Sequence, residues 1–302
     1  MTTVPPLPPV PPLRITIHNA ALSLLAAHCD DNLDEARLES DLLYGEAAGL
    51  DRAQVIARGG DTPDVEALAR FEALLARRLQ HEPLAYILGR RECYGMTFII
   101  GRGALIPRPE TELLIERTLA AVREHPSARR LVRVADVGTG SGVIALAVAK
   151  HALMAKVYGL DRSSRALAIA GENRKRFDLL DRVVLLVSDL FESLPERVEV
   201  VTANLPYIPQ VEIEALAPEV RDWEPGWALN GGRDGLDLVR RLIYRVPEHL
   251  VAGPRAVLLE VGAGQAQKVA RTLAGALGGD AVVAVHRDFA GIERVVEARV
   301  GY

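Results

Sequence analysis

From residue 131 onward, short apolar runs alternate with stretches of helical spacing. The runs are Leu131–Val137, Lys156–Leu160, Val183–Val187, Val198–Ala203, Ala256–Val261, Ala281–Val285 and Ile292–Val300. Between them, Val143–His151, Ser163–Phe177 and Leu236–Leu250 carry the 3.6-residue periodicity of amphipathic helices. Alternation of this kind predicts right-handed βαβ units and a largely parallel sheet covered on both faces. The last two runs are joined only by Arg287–Gly291, too short for a helical crossover, so they are expected to pair antiparallel. The expectation is an α/β chain built on a seven-stranded, mostly parallel sheet with an antiparallel last strand.

Residues 18–82 have a different texture and predict a small helical bundle. Leu33–Leu50 reads as one helix ending beside Gly49. A later helix is expected to start with Thr62 as N-cap, Pro63 in the first helical position, and Asp64 and Glu66 in the first turn. Val65, Leu68, Leu75 and Leu79 would form its apolar face, with Arg77 and Arg78 in the last turn. The bundle holds no catalytic cluster, so it either docks a macromolecular partner or braces the main domain. In 83–108, the runs Tyr86–Gly89 and Thr97–Ile100 predict a hairpin linker. Ile106–Glu112 then reads as a helix entrance, with Pro109 in the first turn and Glu110 and Glu112 at its positive end. The expected division is a proline-rich tail over 1–17, the bundle over 18–82, the linker over 83–108 and the α/β domain over 109–302.

Composition narrows the function classes. Among 302 residues, 49% are apolar and 25% charged, ordinary for a globular protein. A net charge of −4 argues against a dedicated nucleic-acid binder, which carries a basic face. Cys29 and Cys93 form no CxxC pair and read as reduced thiols. The seven histidines supply no HxxxH pair, so no metal site is expected. No apolar run approaches the roughly 20 residues of a bilayer span. Pro5, Pro6, Pro8, Pro9, Pro11 and Pro12 make the N-terminus an extended tail rather than a secretory signal. The cytoplasm is the expected address, and a monomer the expected state.

Candidate chemistry lies in the loops after the strands. Asp136-Val137-Gly138-Thr139-Gly140-Ser141-Gly142 follows the first run. Gly138 and Gly140 allow a tight turn and close approach to a ligand, and Gly142 lets the next helix pack closely. Asp161, ending the second run, can accept both hydroxyls of a ribose or cap the helix starting near Ser163. Asp189, after the third run, is placed either for an adenine amino group or as a turn residue. Asp136 is read as orienting the glycine loop or as meeting a cofactor's amino-acid end indirectly.

After the fourth run comes Asn204-Leu205-Pro206-Tyr207. An amide or aromatic amine nitrogen is a poor nucleophile because its lone pair is delocalised. The Asn204 side-chain oxygen and a carbonyl from Leu205 or Pro206 can accept its two hydrogens, aiming the lone pair at an activated carbon. Pro206 biases Leu205 toward an extended conformation, and Tyr207 offers a flat surface for a planar group. A glycine loop alone would also suit a dehydrogenase, but that reading leaves the tetrapeptide without purpose.

These motifs, with Pro83–Gly89, Ile106–Glu112, Glu224-Pro225, Gly231–Asp237 and Arg287–Gly291, resemble the release-factor glutamine methyltransferases, the HemK/PrmC family, over about residues 20–302. The resemblance implies a class I S-adenosylmethionine-dependent methyltransferase fold. It also implies methylation of the glutamine amide in the Gly-Gly-Gln motif of class I peptide release factors, with S-adenosylhomocysteine as by-product. By it, Gly138, Thr139, Gly140, Ser141, Gly142, Asp161, Asp189, Leu190 and Asn204 would bind the cofactor. Asn204, Leu205, Pro206 and Tyr207 would hold the glutamine, Asn204, Pro206 and Tyr207 would be catalytic, and Phe98 would wall the pocket. Two positions depart from the family pattern: Leu205 replaces the first proline of Asn-Pro-Pro-Tyr, and Leu190 stands where many members carry an aromatic residue. The rival enzyme is an adenine amino-nitrogen methyltransferase acting on ribosomal RNA or DNA, whose motif Asn-Leu-Pro-Tyr also resembles.

Overall fold

A computed structural model describes residues 11–126 and 131–302. The expected tail at Pro5–Pro9 lies outside the described residues. Contacts divide the chain at Gly89/Arg90 into two compact units.

The first unit is all helical: α1 (Leu13–Ala26), α2 (Leu33–Ala48), α3 (Arg52–Ala57), α4 (Val65–Arg78) and α5 (Leu84–Leu88). Leu13 and Ile17 belong to α1 rather than to a tail. Pro12 sits in the N-cap position and both apolar side chains are buried in the unit's core. Gly49 ends α2 in the left-handed conformation, as its position implied. The expected Thr62 cap is displaced: Asp64 caps α4 by accepting from Ala67 N at 2.9 Å, so Thr62 and Pro63 precede the helix. The buried face of α4 is also rotated. Val65 is exposed, while Ala67, Phe71 and Arg78 are buried. Phe71 meets Tyr44 edge-to-face at 5.6 Å. Arg78 is buried because its guanidinium bonds Glu39 and the Cys29 carbonyl, each at 2.6 Å.

Tyr86–Gly89 is not a strand. Pro83 fixes an entrance and Gly89 takes the left-handed cap, so 84–88 coils into α5 with Ala85, Tyr86 and Ile87 buried. The hairpin instead pairs β1 (Arg90–Cys93) with β2 (Met96–Ile99), and both strands belong to the second unit. Next comes α6 (Thr111–Glu124), with Pro109 in the turn before it rather than in its first turn.

The remaining elements are β3 (Val132–Val137), α7 (Val143–His151), β4 (Ala155–Asp161), α8 (Ser164–Arg176), β5 (Val183–Val187) and β6 (Val200–Ala203). After a 3-10 turn over Gln210–Ala215 follow α9 (Pro218–Arg221), α10 (Gly226–Leu229), α11 (Asp237–His249), β7 (Arg255–Glu260), α12 (Ala266–Leu277), β8 (Val282–Arg287) and β9 (Glu293–Val300). The seven-stranded sheet has the order β5-β4-β3-β6-β7-β9-β8. All pairings from β5 to β7 are parallel, whereas β9 runs antiparallel to both β7 and β8. This is the expected sheet, with the last strand inserted between β7 and β8. Fully buried Val, Leu and Ala side chains on β3, β4, β6 and β7 form its core, each removing apolar surface from water. Among the described residues no helix is long and apolar enough to cross a membrane.

Candidate active site

Strand order reverses at β3: β4 lies on one side of it and β6 on the other. Loops leaving such a switch point diverge and open a crevice at the carboxyl ends of the strands. Here the two chemically informative loops leave from directly paired residues, because Val137 of β3 lies opposite Ala203 of β6. The glycine loop and Asn204–Tyr207 therefore begin side by side. The cleft between them encloses about 950 Å³ including its open mouth.

The glycine loop is anchored from below. Gly138 N and Thr139 N both donate to the Leu160 carbonyl, at 2.8 and 2.9 Å. Asp136 is fully buried, and its Oδ2 accepts from the Thr139 hydroxyl at 2.6 Å and from Ala145 N at 3.1 Å. It thus joins the loop to the start of α7, which is one of the two roles the sequence left open for it. Gly138 has φ +78°, and a Cβ there would lie 2.9 Å from Leu205 Cδ2. The two loops are therefore in contact at a position whose left-handed backbone favours glycine.

Asp161 ends β4 with its side chain buried. Its Oδ2 accepts from Gly140 N at 2.9 Å and its Oδ1 from Ser163 N at 2.8 Å. It does not cap α8; Ser163 does, accepting from Ala166 N. Burial pushes the Asp161 carboxyl up, partly opposed by these two bonds. Asp189 forms an ion pair with Arg241 at 2.8 Å. Leu190 adopts a left-handed φ of +53°, rare for a residue with a branched side chain, and Ser188 Oγ donates to its carbonyl at 2.9 Å.

Asn204 Nδ2 donates to Thr111 Oγ1 at 3.2 Å, and Asn204 Oδ1 makes no hydrogen bond among the described residues. The Tyr207 carbonyl is taken by Gln265 Nε2 at 2.9 Å, whereas those of Leu205 and Pro206 accept from no donor among the described residues. The Gly231–Asp237 segment backs this loop closely: a Cβ on Gly235, which has φ +77°, would fall 2.1 Å from Tyr207 O. Leu205 is buried against the core and Gly138, so packing fixes the position where the sequence lacks a proline.

Gly138, Thr139, Gly140, Ser141, Asp161, Asp189, Leu190, Asn204, Leu205 and Pro206 all line the cleft. Three expected residues do not. Gly142 lies behind the wall at the start of α7, where a Cβ would meet Leu146 and Ala170. Tyr207 lies beside Gly262 and near Glu260 and Arg108, and burial pushes its phenol up to about 12. Phe98 is fully buried edge-to-face with Phe177 at 5.0 Å, pinning the hairpin onto α8.

The chain is similar to known proteins. Residues 18–89 match the family description PrmC N-terminal domain, and 129–220 match Methyltransferase domain. A release factor glutamine methyltransferase of Geobacter sulfurreducens is 40% identical over 90% of this chain and 92% of its own length. One from Cereibacter sphaeroides is 42% identical over 93% and 96%. The chain belongs to the release factor glutamine methyltransferase family. A solved methyltransferase from Pyrococcus furiosus shares the fold of this family member, with TM-score 0.51 at 15% identity over 75% of this chain and 98% of that one.

For a release factor glutamine methyltransferase, three groups that sequence reasoning passed over matter to the site. Glu224, almost fully buried, accepts Ile106 N at 3.0 Å and pairs with Arg108, joining two walls of the cleft. Thr111, read only as part of a helix entrance, contacts Asn204. Glu260 ends β7 and is 1% exposed; burial pushes it up to about 7. Its signal was present as a lone charge in the apolar run Leu258-Leu259-Glu260-Val261. Among the described residues no group of three His, Cys, Asp or Glu could hold a metal ion.

Proposed function

We propose that this enzyme transfers the methyl group of S-adenosylmethionine to the side-chain amide nitrogen of the glutamine in the Gly-Gly-Gln motif of class I peptide release factors, leaving S-adenosylhomocysteine. The observation that carries this reading is the Val137–Ala203 pairing, from which the glycine loop and Asn204–Pro206 line one cleft.

The cleft suits the cofactor by its own chemistry. Gly138 and Gly140 leave backbone exposed where a side chain would obstruct a ligand, and Asp161 supplies carboxylate oxygens for a ribose at the adjacent strand end. Leu190 and Ile144 add apolar wall on the cleft. When bound, S-adenosylmethionine supplies an electrophilic methyl on a sulfonium, so no metal or nucleophilic side chain is required.

The residues of this chain then have one task, to make an amide nitrogen attack. Asn204 Oδ1 and the carbonyl of Leu205 or Pro206 accept the two amide hydrogens. Fixing both turns the lone pair toward the methyl carbon and draws electron density toward nitrogen. As the C–N bond forms and the C–S bond breaks, the nitrogen gives up one proton, which passes to water, and an acceptor already bonded to that proton eases its loss. Residues 18–89 are assigned to docking of the release factor, and the substrate places the enzyme's work in the cytoplasm.

Incubation with methyl-labelled S-adenosylmethionine and a purified release factor, followed by mass-spectrometric localisation, tests the reading. Label is expected on the Gly-Gly-Gln glutamine. Label confined to ribosomal RNA or DNA would replace this reading with adenine methylation.

A further inference from the structure

Glu260 is a buried acid without a counter-ion. It is 1% exposed, no donor meets either carboxyl oxygen in strict hydrogen-bond geometry, and the polar side chains nearest to it are those of Thr111 and Asn204. Arg294 is the neighbouring cation, but its Nε is committed to Asp288 at 3.0 Å and its Nη2 faces Glu110 at 3.9 Å. A buried carboxyl held this weakly opposes folding. Such an uncompensated cost is typical of residues kept for function.

Strand register says what Glu260 faces. Ala203 lies opposite Leu259 in the parallel β6–β7 ladder, so Asn204 and Glu260 are the next residues on adjacent strands. Thr111, at the first turn of α6, completes the group: it lies beside Glu260 and receives Asn204 Nδ2 at 3.2 Å. A hydroxyl has one hydrogen to give and two lone pairs to receive with. If Thr111 gave its hydrogen to Asn204, the amide would present its NH2 to the cleft. Two donors, that NH2 and the substrate amide, would then face each other.

Resting on the function proposed above, we infer that Glu260 is a positioning residue: it accepts the Thr111 hydroxyl hydrogen, which leaves Thr111 to accept from Asn204 Nδ2 and turns Asn204 Oδ1 to the substrate. With Glu260 ionised, the relay Asn204→Thr111→Glu260 runs in one direction because it ends on a group with no hydrogen to give. Glu260 touches neither substrate nor cofactor; it sets which face of the Asn204 amide the substrate meets.

The test uses the full-length protein and two readouts. In protein labelled with 15N-asparagine, solvent exchange of the Asn204 side-chain amide is compared among wild type, Thr111→Ser, Thr111→Val and Glu260→Leu. Slow exchange is expected in wild type and Thr111→Ser, and exchange about tenfold faster in the other two, since protection follows the hydrogen bond. In the methylation assay, kcat should fall about 100-fold in Thr111→Val and in Glu260→Leu, with no further loss in the double variant and recovery in Thr111→Ser. Affinity for S-adenosylhomocysteine, measured by calorimetry, should stay within about threefold, as expected for a group that does not touch the cofactor. Unchanged Asn204 exchange in both disabling variants overturns the relay, and so does a loss of activity that merely tracks lost S-adenosylhomocysteine binding. A wild-type enzyme inactive on release factor would instead sink the proposed function, and the exchange comparison would still decide the relay.

Discussion

Glu224 accepts the backbone N–H of Ile106 at 3.0 Å, although 118 residues of chain separate them. The same carboxylate pairs with Arg108, so the segment entering α6 is tied to the segment entering α10. Both segments wall the cleft, through Pro107 and Arg108 on one side and Trp227 and Ala228 on the other. Glu224→Ala should lower stability by about 2 kcal/mol, since it strands a buried N–H and a half-exposed guanidinium. Equilibrium denaturation in urea measures this. A change within about 0.5 kcal/mol, the usual range for surface substitutions, would show that the tie is incidental.

Asn204→Ala removes the acceptor aimed into the cleft without touching the glycine loop. Binding of S-adenosylhomocysteine is expected to remain within about threefold of wild type while kcat drops about 100-fold or more, the pattern of a group needed to position the reacting atom. Calorimetry and steady-state kinetics on the same preparation check the split. Retained turnover would remove Asn204 from the mechanism.

Asp161→Ala predicts the opposite division. Losing a carboxylate that would hold two ribose hydroxyls should weaken cofactor affinity by about tenfold or more, at 1.5–3 kcal/mol per charged hydrogen bond. The same change frees Gly140 N and Ser163 N, so the melting temperature should fall as well. An unchanged dissociation constant would leave Asp161 as a loop anchor alone.

Acidity supplies a further prediction. Burial pushes Glu260 up from 4.5 to about 7, against weaker help from Thr111, Arg294 and Asn204; the other ionisable groups facing it are Glu110, Tyr207 and Cys93. A carboxyl whose folded value is raised keeps its proton in the native state after the unfolded chain has lost it. Stability from this group is therefore fully present below 4.5 and is lost as pH rises through about 7. Glutamine has no proton to lose there. The stability of Glu260→Gln relative to wild type should thus rise between about pH 5 and pH 8, as linkage requires. Thermal denaturation across that range reads the difference directly; a gap that does not change with pH would mean Glu260 titrates at its ordinary value.

Much of the molecule was legible before any coordinates. Alternating apolar runs marked every strand of the main sheet, most plainly β3, β4, β6 and β7, because buried parallel strands must be apolar on both faces. Short Arg287–Gly291 marked the antiparallel pair. Errors fell where two local signals competed. Tyr86–Gly89 has β-type residues, yet Pro83 and Gly89 bracket it as a helical turn. Thr62 and Asp64 are both good caps, and the one whose helix could bury Ala67 and Phe71 prevailed.

By itself the sequence determined the strand and helix alternation, the glycine loop, the tetrapeptide and the likeness to a family, since these rest on local periodicity and short spacings. Tertiary structure alone decided that β9 inserts beside β7, that Val137 faces Ala203, that Tyr207 and Phe98 stand outside the cleft wall, and that Glu260 lies next to Asn204. Each of those is a relation between residues far apart in the chain. Strand order and register set such relations, and no local pattern of side chains encodes them.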